Sequence, residues 1–162
     1  MKHLLTILLM LLALTSKAQT VSYIYKPFSS KGCTMKYSIS KQDSLYYIVA
    51  TVKSDKLKFL KEPTMMIRTF NDDVIKLQGA LIDNSTQSVG VMSGNIMIPV
   101  TKVSSTAQFI ITPVQLESLE AGVSKVRLST TPIVHERSFK KDKIGKKIYE
   151  LYIKEENKDD DF

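Results

Sequence analysis

Two side chains of this 162-residue chain have the types needed for nucleophilic catalysis, Cys33 and His135. A thiol becomes a useful nucleophile when a base lies within hydrogen-bond reach and a third group orients that base. No local signature of a cysteine hydrolase surrounds Cys33. It reads instead as a small buried thiol, or as one that pairs with another chain. A serine triad would also draw on His135, and no G-x-S-x-G elbow is present. Zinc takes several His or Cys ligands, and the chain beyond its leader offers one of each. Asn71-Asp72-Asp73 is rich in oxygen but lacks the spacing of a calcium loop. Neither glycine-rich phosphate cradle occurs. Sixteen acids leave a glycosidase-like carboxylate pair open, although the absence of tryptophan disfavours a sugar-stacking cleft. No residue is therefore assigned as catalytic, cofactor-binding or metal-binding. His135-Glu136-Arg137 reads as a solvated strand end or loop.

The charges are less evenly spread. There are 23 basic and 16 acidic residues, a formal +7. Lys140, Lys141, Lys143, Lys146 and Lys147 crowd a short stretch, followed by Glu150, Glu155, Glu156 and three terminal aspartates. The apolar set Ile144, Ile148, Leu151 and Tyr152 falls on one helical stripe, so a helix is expected from near Ser138 to about Lys154. Basic residues at its start oppose the helix dipole, at about 0.3–1 kcal/mol each. The pairs Asp142–Lys146 and Glu150–Lys154 offset part of that cost. The lysines form a candidate patch for an anionic partner, lipid headgroups or a polyanionic glycan, against the plainer reading of a solvated face.

The elements that must position these residues are mostly strands. Val21–Tyr25, closed by Pro27, and Met35–Ile39 are short β signals. Leu45–Val52 is apolar on both phases and is expected as a central strand covered on both faces. Met65–Phe70 and Val74–Leu77 flank Asn71-Asp72-Asp73, which predicts a hairpin with a three-residue loop. Val89–Met92 and Ile96–Val100 flank Ser93-Gly94-Asn95 in the same way. Thr106–Ile111 and Val126–Leu128 complete the set. Between those last two, Thr112-Pro113-Val114-Gln115 is a capping box with proline at the first helical position. Leu116 and Leu119 share a face, and Gly122 ends the helix. The class is mainly β: an antiparallel β-sandwich or a strongly curved sheet, with one short inter-strand helix and a C-terminal amphipathic helix. The alternative is an α+β layer fold in which the short helix crosses between parallel strands.

The amino terminus is an address. Lys2 and His3 precede an apolar run from Leu4 to Leu14, and Ser16 and Ala18 stand at the −3 and −1 positions of a cleavage site. The run is too short for a bilayer, which needs roughly 20 residues. The expected organisation is a signal peptide over residues 1–18, one β-rich domain over 19–155, and an acidic disordered tail over 156–162. Cleavage removes Lys2, His3 and Lys17, leaving 144 residues at +5 with His135 as the one histidine.

The segment Phe109–Leu128 (FIITPVQLESLEAGVSKVRL), followed by Phe139–Tyr149 (FKKDKIGKKIY), resembles a group of small exported proteins of Bacteroides-type gut and oral bacteria. The hairpin from Met66 to Leu77 fits the same pattern, and the resemblance spans the chain from Tyr37 onward. It implies export to the periplasm, cell surface or medium. The group has no known activity and supplies no catalytic residues. Asp43-Ser44-Leu45 looks like the short O-glycosylation acceptor of such bacteria, with Ser44 as the acceptor. Asn84-Ser85-Thr86 fits the N-x-[ST] sequon. The expected function is that of a non-catalytic binding or scaffold protein of the cell envelope. Its partner would be an envelope protein, a peptide or a glycan, with no nucleic acid and with membrane contact not favoured. A small carboxylate-dependent hydrolase and a structural subunit of an envelope assembly are the alternatives. The contact surfaces expected are open strand edges and the hairpin tips at 71–73 and 93–95.

Overall fold

The structure, a computed structural model, describes residues 20–28 and 31–157. The leader and the terminal aspartates lie outside the described residues. Eight strands form one antiparallel sheet: β1 (Val21–Phe28), β2 (Lys31–Gln42), β3 (Leu45–Ser54), β5 (Thr64–Thr69), β6 (Val74–Ser93), β7 (Ile96–Ile111), β8 (Val123–Leu128) and β10 (His135–Ser138). Their order is β1-β2-β3-β7-β6-β5-β8-β10. β4 (Lys58–Phe59) and β9 (Thr130–Thr131) pair separately. Every pairing is antiparallel, which excludes the parallel crossover of the α+β alternative. The sheet curls until its two edge strands meet, so it is a nearly closed barrel rather than two facing sheets.

The core fills the inside of that curl. On β3, Tyr46, Ile48, Ala50 and Val52 are buried and the residues between them are half-buried or exposed. The expectation of a strand covered on both faces is corrected: β3 is central in the sheet, but only one face meets the core. Met35, Tyr37, Phe109, Met65, Ile67 and Leu128 join it from the neighbouring strands. Burying an aliphatic or aromatic side chain of this kind stabilises by about 1.5–3 kcal/mol.

One end of the barrel is closed by helices. Thr112 caps α1 (Pro113–Glu117): its hydroxyl accepts from the Gln115 N–H at 3.3 Å, and the Gln115 side chain accepts from the Thr112 N–H at 3.0 Å. A 3₁₀ turn (Ser118–Ala121) follows and ends at Gly122, whose φ of 82° suits a residue without a Cβ. Leu116 and Leu119 are buried, as their spacing predicts.

The second helix, α2, spans Gly145–Asn157. The expected start near Ser138 is corrected, because Ser138 ends β10 and Phe139 still donates its N–H to the Ser124 carbonyl at 2.8 Å. The end also moves: Glu156 and Asn157, expected in the tail, are helical. Ile144, Ile148 and Tyr152 pack inward, with Tyr152 edge-on to Tyr46 at 5.1 Å between centroids. At the opposite end, Leu57 and Phe59 are buried and Phe59 donates its N–H to Ser105 Oγ at 3.0 Å.

The largest departure concerns β6 and β7. The four short strands expected between Val74 and Ile111 are two long ones, paired from Gly79↔Phe109 to Ser93↔Ile96 with one register shift, a bulge at Ile82. The expected three-residue loop at the tip is a two-residue turn, Gly94-Asn95, with Gly94 at φ 63°. The loop joining β5 to β6 does form where expected, with Asp72 at φ 68° and Thr69 Oγ1 accepting from the Asn71 and Asp73 N–H groups.

Candidate functional site

The first place to look for chemistry is His135, and the structure buries it completely. It opens β10 at one edge of the sheet, so its inward side chain faces β1 across the barrel seam. Its Nε2 lies 2.6 Å from the Tyr23 hydroxyl, which lies 2.9 Å from the Tyr37 hydroxyl. The Tyr25 ring meets the imidazole edge-on at 4.5 Å. Nδ1 of His135 has no hydrogen-bond partner, alone among the buried side-chain nitrogens and oxygens of the described residues. Burial, helped by the charge of Arg137, lowers the His135 pKa to about 4. Burial likewise pushes both tyrosines above their ordinary range. All three groups are neutral at pH 7. They form a hydrogen-bonded clamp across the seam, and they expose no reactive atom to a substrate. His135-Glu136-Arg137, expected as a solvated strand end or loop, is the start of β10; the expected solvation is corrected for His135, which is buried, while Glu136 and Arg137 are exposed.

Cys33 is also fully buried and forms no disulfide. Burial pushes its thiol pKa up, against thiolate formation. With no exposed surface it cannot reach a second chain while the fold is intact, which removes the disulfide between chains. The hydrogen-bond partner of His135 is Tyr23 and not a thiol. Among the described residues no three His, Cys, Asp or Glu side chains converge as a metal-binding group.

The five lysines of the candidate patch are all exposed. Lys140, Lys141 and Lys143 lie in the connection from β10 to α2, and Lys146 and Lys147 in the first turn of α2. The expected Asp142–Lys146 side-chain pair is corrected. The Asp142 carboxylate accepts from four backbone N–H groups instead: Val123 at 2.9 Å, Ile144 at 3.3 Å, Gly145 at 2.8 Å and Lys146 at 2.9 Å. Burial raises its pKa, but these donors outweigh that and hold it below the usual carboxylate value. The lysines thus surround a helix start whose dipole is already answered by a carboxylate. Ser44 is exposed in the β2–β3 turn beside Asp43, whose φ is 54°.

A second basic surface was not read from the sequence. On the outer face of the barrel Arg68 pairs with Lys125, and Met66 with Lys76 on one side and Arg127 on the other. Glu136 reaches Lys125 at 2.8 Å and Arg127 at 3.8 Å. The Lys125 bond holds the Glu136 carboxyl below its usual pKa. A shallow groove of about 190 Å³ runs between these residues. Its sequence signal is the period-two spacing of Lys125 and Arg127 within a strand.

The most unusual surface is the far half of β6 and β7. β5 accompanies β6 only to Gln78, and β3 accompanies β7 only from Val103 onward. Beyond the pair Thr86↔Val103, the two strands pair, among the described residues, only with each other and project from the barrel as an arm. Asn84 to Thr101 carries eighteen residues without a charge. The register Val89↔Val100, Val91↔Ile98 and Ser93↔Ile96 puts Val89, Val91, Ile96, Ile98 and Val100 on one face. Met92 and Met97 are opposite each other on the other face. Except for half-buried Val100, these side chains are 45–69% exposed. An open groove of about 610 Å³ lies at the arm's base, between Lys53, Asp55, Ser85, Gln87 and Lys102. Comparison with known proteins finds no matching family model, no matching curated protein and no matching solved structure.

Proposed function

We propose that this protein is an exported, non-catalytic binding or scaffold module of the cell envelope, and that the β6–β7 arm is its contact element. The observation that carries this reading is the arm itself. An isolated two-stranded hairpin is marginally stable in water, and monomeric proteins rarely leave a contiguous apolar surface uncovered. Natural edge strands are also usually protected by charge, and none is present from Asn84 to Thr101. A binding role accounts for all three features. A hydrolase would call for convergent acids with raised pKa values, whereas among the described residues the two carboxylates with shifted values, Glu136 and Asp142, are both shifted downward.

Site-specific photo-crosslinking in intact host cells tests the proposal. A photoreactive residue at Val91 is expected to give a discrete heavier adduct, and one at exposed Val114 on the body none. No adduct from Val91, or equal adducts from both positions, overturns the reading.

A further inference from the structure

We infer that the arm's partner is a second copy of this chain, the two arms packing with their Val/Ile faces together. This rests on the reading of the arm as the contact element and names its occupant.

The hydrophobic phase of β7 reverses along its length. Within the barrel the buried positions are Val103, Ser105, Ala107, Phe109 and Ile111, all odd-numbered. On the arm the apolar β-branched positions are Ile96, Ile98 and Val100, all even-numbered. Successive strand residues point to opposite faces, so the arm's apolar face does not continue the barrel's core. It looks the other way and serves a different contact.

The shape of that face suits a copy of itself. Val89, Val91, Ile96, Ile98 and Val100 make a ladder of β-branched side chains of similar size, with no aromatic anchor among them. Such ladders interdigitate when two sheets stack at about 10 Å. A two-fold arrangement sets the same patch against itself. Two stacked arms would bury on the order of 1,000 Å² in total, at the lower limit for a specific interface, which fits a reversible dimer.

Charge points the same way. The chain from Gln19 onward carries a formal +5, so two bodies repel at close range. The seven residues from Gln87 to Ser93 extend roughly 23 Å, well beyond a screening length of about 8 Å at physiological salt. Arms that meet along their outer halves keep the bodies apart and bring no charges together. An acidic partner would find one basic residue on the arm, Lys102, at its base. A bilayer would leave the arm's two open backbone edges without hydrogen-bond partners.

The test is sedimentation velocity on the chain from Gln19 to Phe162 over a hundredfold concentration range. The wild type is expected to pass from monomer to dimer as concentration rises. The double variant Val91→Asp/Ile98→Asp is expected to stay monomeric throughout, and Val114→Asp to dimerise like the wild type. Thermal melts confirm that the variants fold, and all three substituted positions are solvent-exposed. A wild type that remains monomeric, or a dimer that survives the double substitution, overturns the inference. If the monomeric wild type still gives an adduct from Val91 in cells, the self-partner fails and the contact element stands. If it also floats with vesicles of neutral and anionic lipid, the occupant is the membrane. Without adduct or flotation, both readings fall.

Discussion

The Tyr23 hydroxyl sits 2.6 Å from Nε2 of His135, joining residues 112 positions apart and the two edges of the sheet. Among the described residues no strand pairing joins β1 to β10; a side-chain hydrogen bond and packed rings close the barrel there. That makes the seam sensitive to protonation. The unfolded chain takes up a proton on His135 near pH 6.5, and the folded chain only near pH 4. The unfolded state therefore binds more protons between those values. Stability from this group is complete above pH 6.5, falls as pH drops toward 4, and is flat below. The loss is roughly 3 kcal/mol. Urea denaturation at pH 7 and pH 4 checks it against His135→Asn. The variant is expected to be less stable at pH 7 and to lose less on acidification. Equal losses in both proteins would refute the coupling.

The two tyrosines of the clamp are not equivalent. Tyr23→Phe removes the partner of His135 and of Tyr37 together, leaving buried polar atoms unsatisfied at about 1–3 kcal/mol. Tyr37→Phe leaves the Tyr23–His135 bond in place, so its cost should lie near an ordinary hydrogen bond, about 0.5–1.5 kcal/mol. Denaturant midpoints of the two variants give the comparison. A larger loss for Tyr37→Phe would show that the seam is held elsewhere.

Much of this fold was legible before any coordinates, and the reasons for the misses are physical. The Thr112 capping box, the buried pair Leu116 and Leu119, and the antiparallel class follow from local spacing and turn chemistry. The long arm does not. Asp83–Ser88 and Thr101–Ser105 are polar and resemble loops, and a strand with solvent on both faces shows no core periodicity. The start of α2 was misplaced because the Ile144–Tyr152 stripe marks a face but no boundary, while Asp142 is the type of residue that begins helices. His135 was out of reach altogether. Its burial depends on the curl of the sheet, which no local pattern records. The same holds for the basic outer face, whose members come from four strands.

Gly79 gives a direct test of close packing along the β6–β7 ladder. A Cβ there would lie 2.6 Å from the Gln108 carbonyl oxygen and 2.6 Å from the Phe109 ring. Gly79→Ala should cost about 1–3 kcal/mol, the range for overpacking a filled site. Adding Phe109→Leu should recover only part of this, because the ring can be removed but the backbone oxygen cannot. Thermal melts of the single and double variants decide the point. A neutral Gly79→Ala would mean that the strands separate easily at this register.

Asp142 ties α2 to the first residue of β8 through its four backbone donors. Asp142→Ala should cost about 0.5–2 kcal/mol, as for loss of a helix cap. Because the folded carboxyl is held below 3.8, its contribution is present above that value and disappears as pH falls further. Its window lies below that of His135, so the two can be separated in one titration. Hydrogen exchange should quicken at Gly145 and Lys146 in the variant; unchanged protection there would remove Asp142 from the cap.

The arm should be separable from the fold that carries it. Its exposed apolar residues take no part in the barrel core, and the last buried residue on its path is Val103. Replacing residues 87–102 with Asn-Gly joins Thr86 directly to Val103, which are already cross-strand partners. Asn-Gly suits a two-residue hairpin turn. The shortened protein should keep its melting temperature within a few degrees, because the body loses no core contact and a shift of 1 kcal/mol moves a domain of this size by roughly 2–8 °C. It should also stay monomeric at concentrations where the full chain self-associates. A fall in melting temperature in dilute solution well beyond that range would show that the arm folds back to stabilise its own barrel, and that its apolar face is spent within one chain.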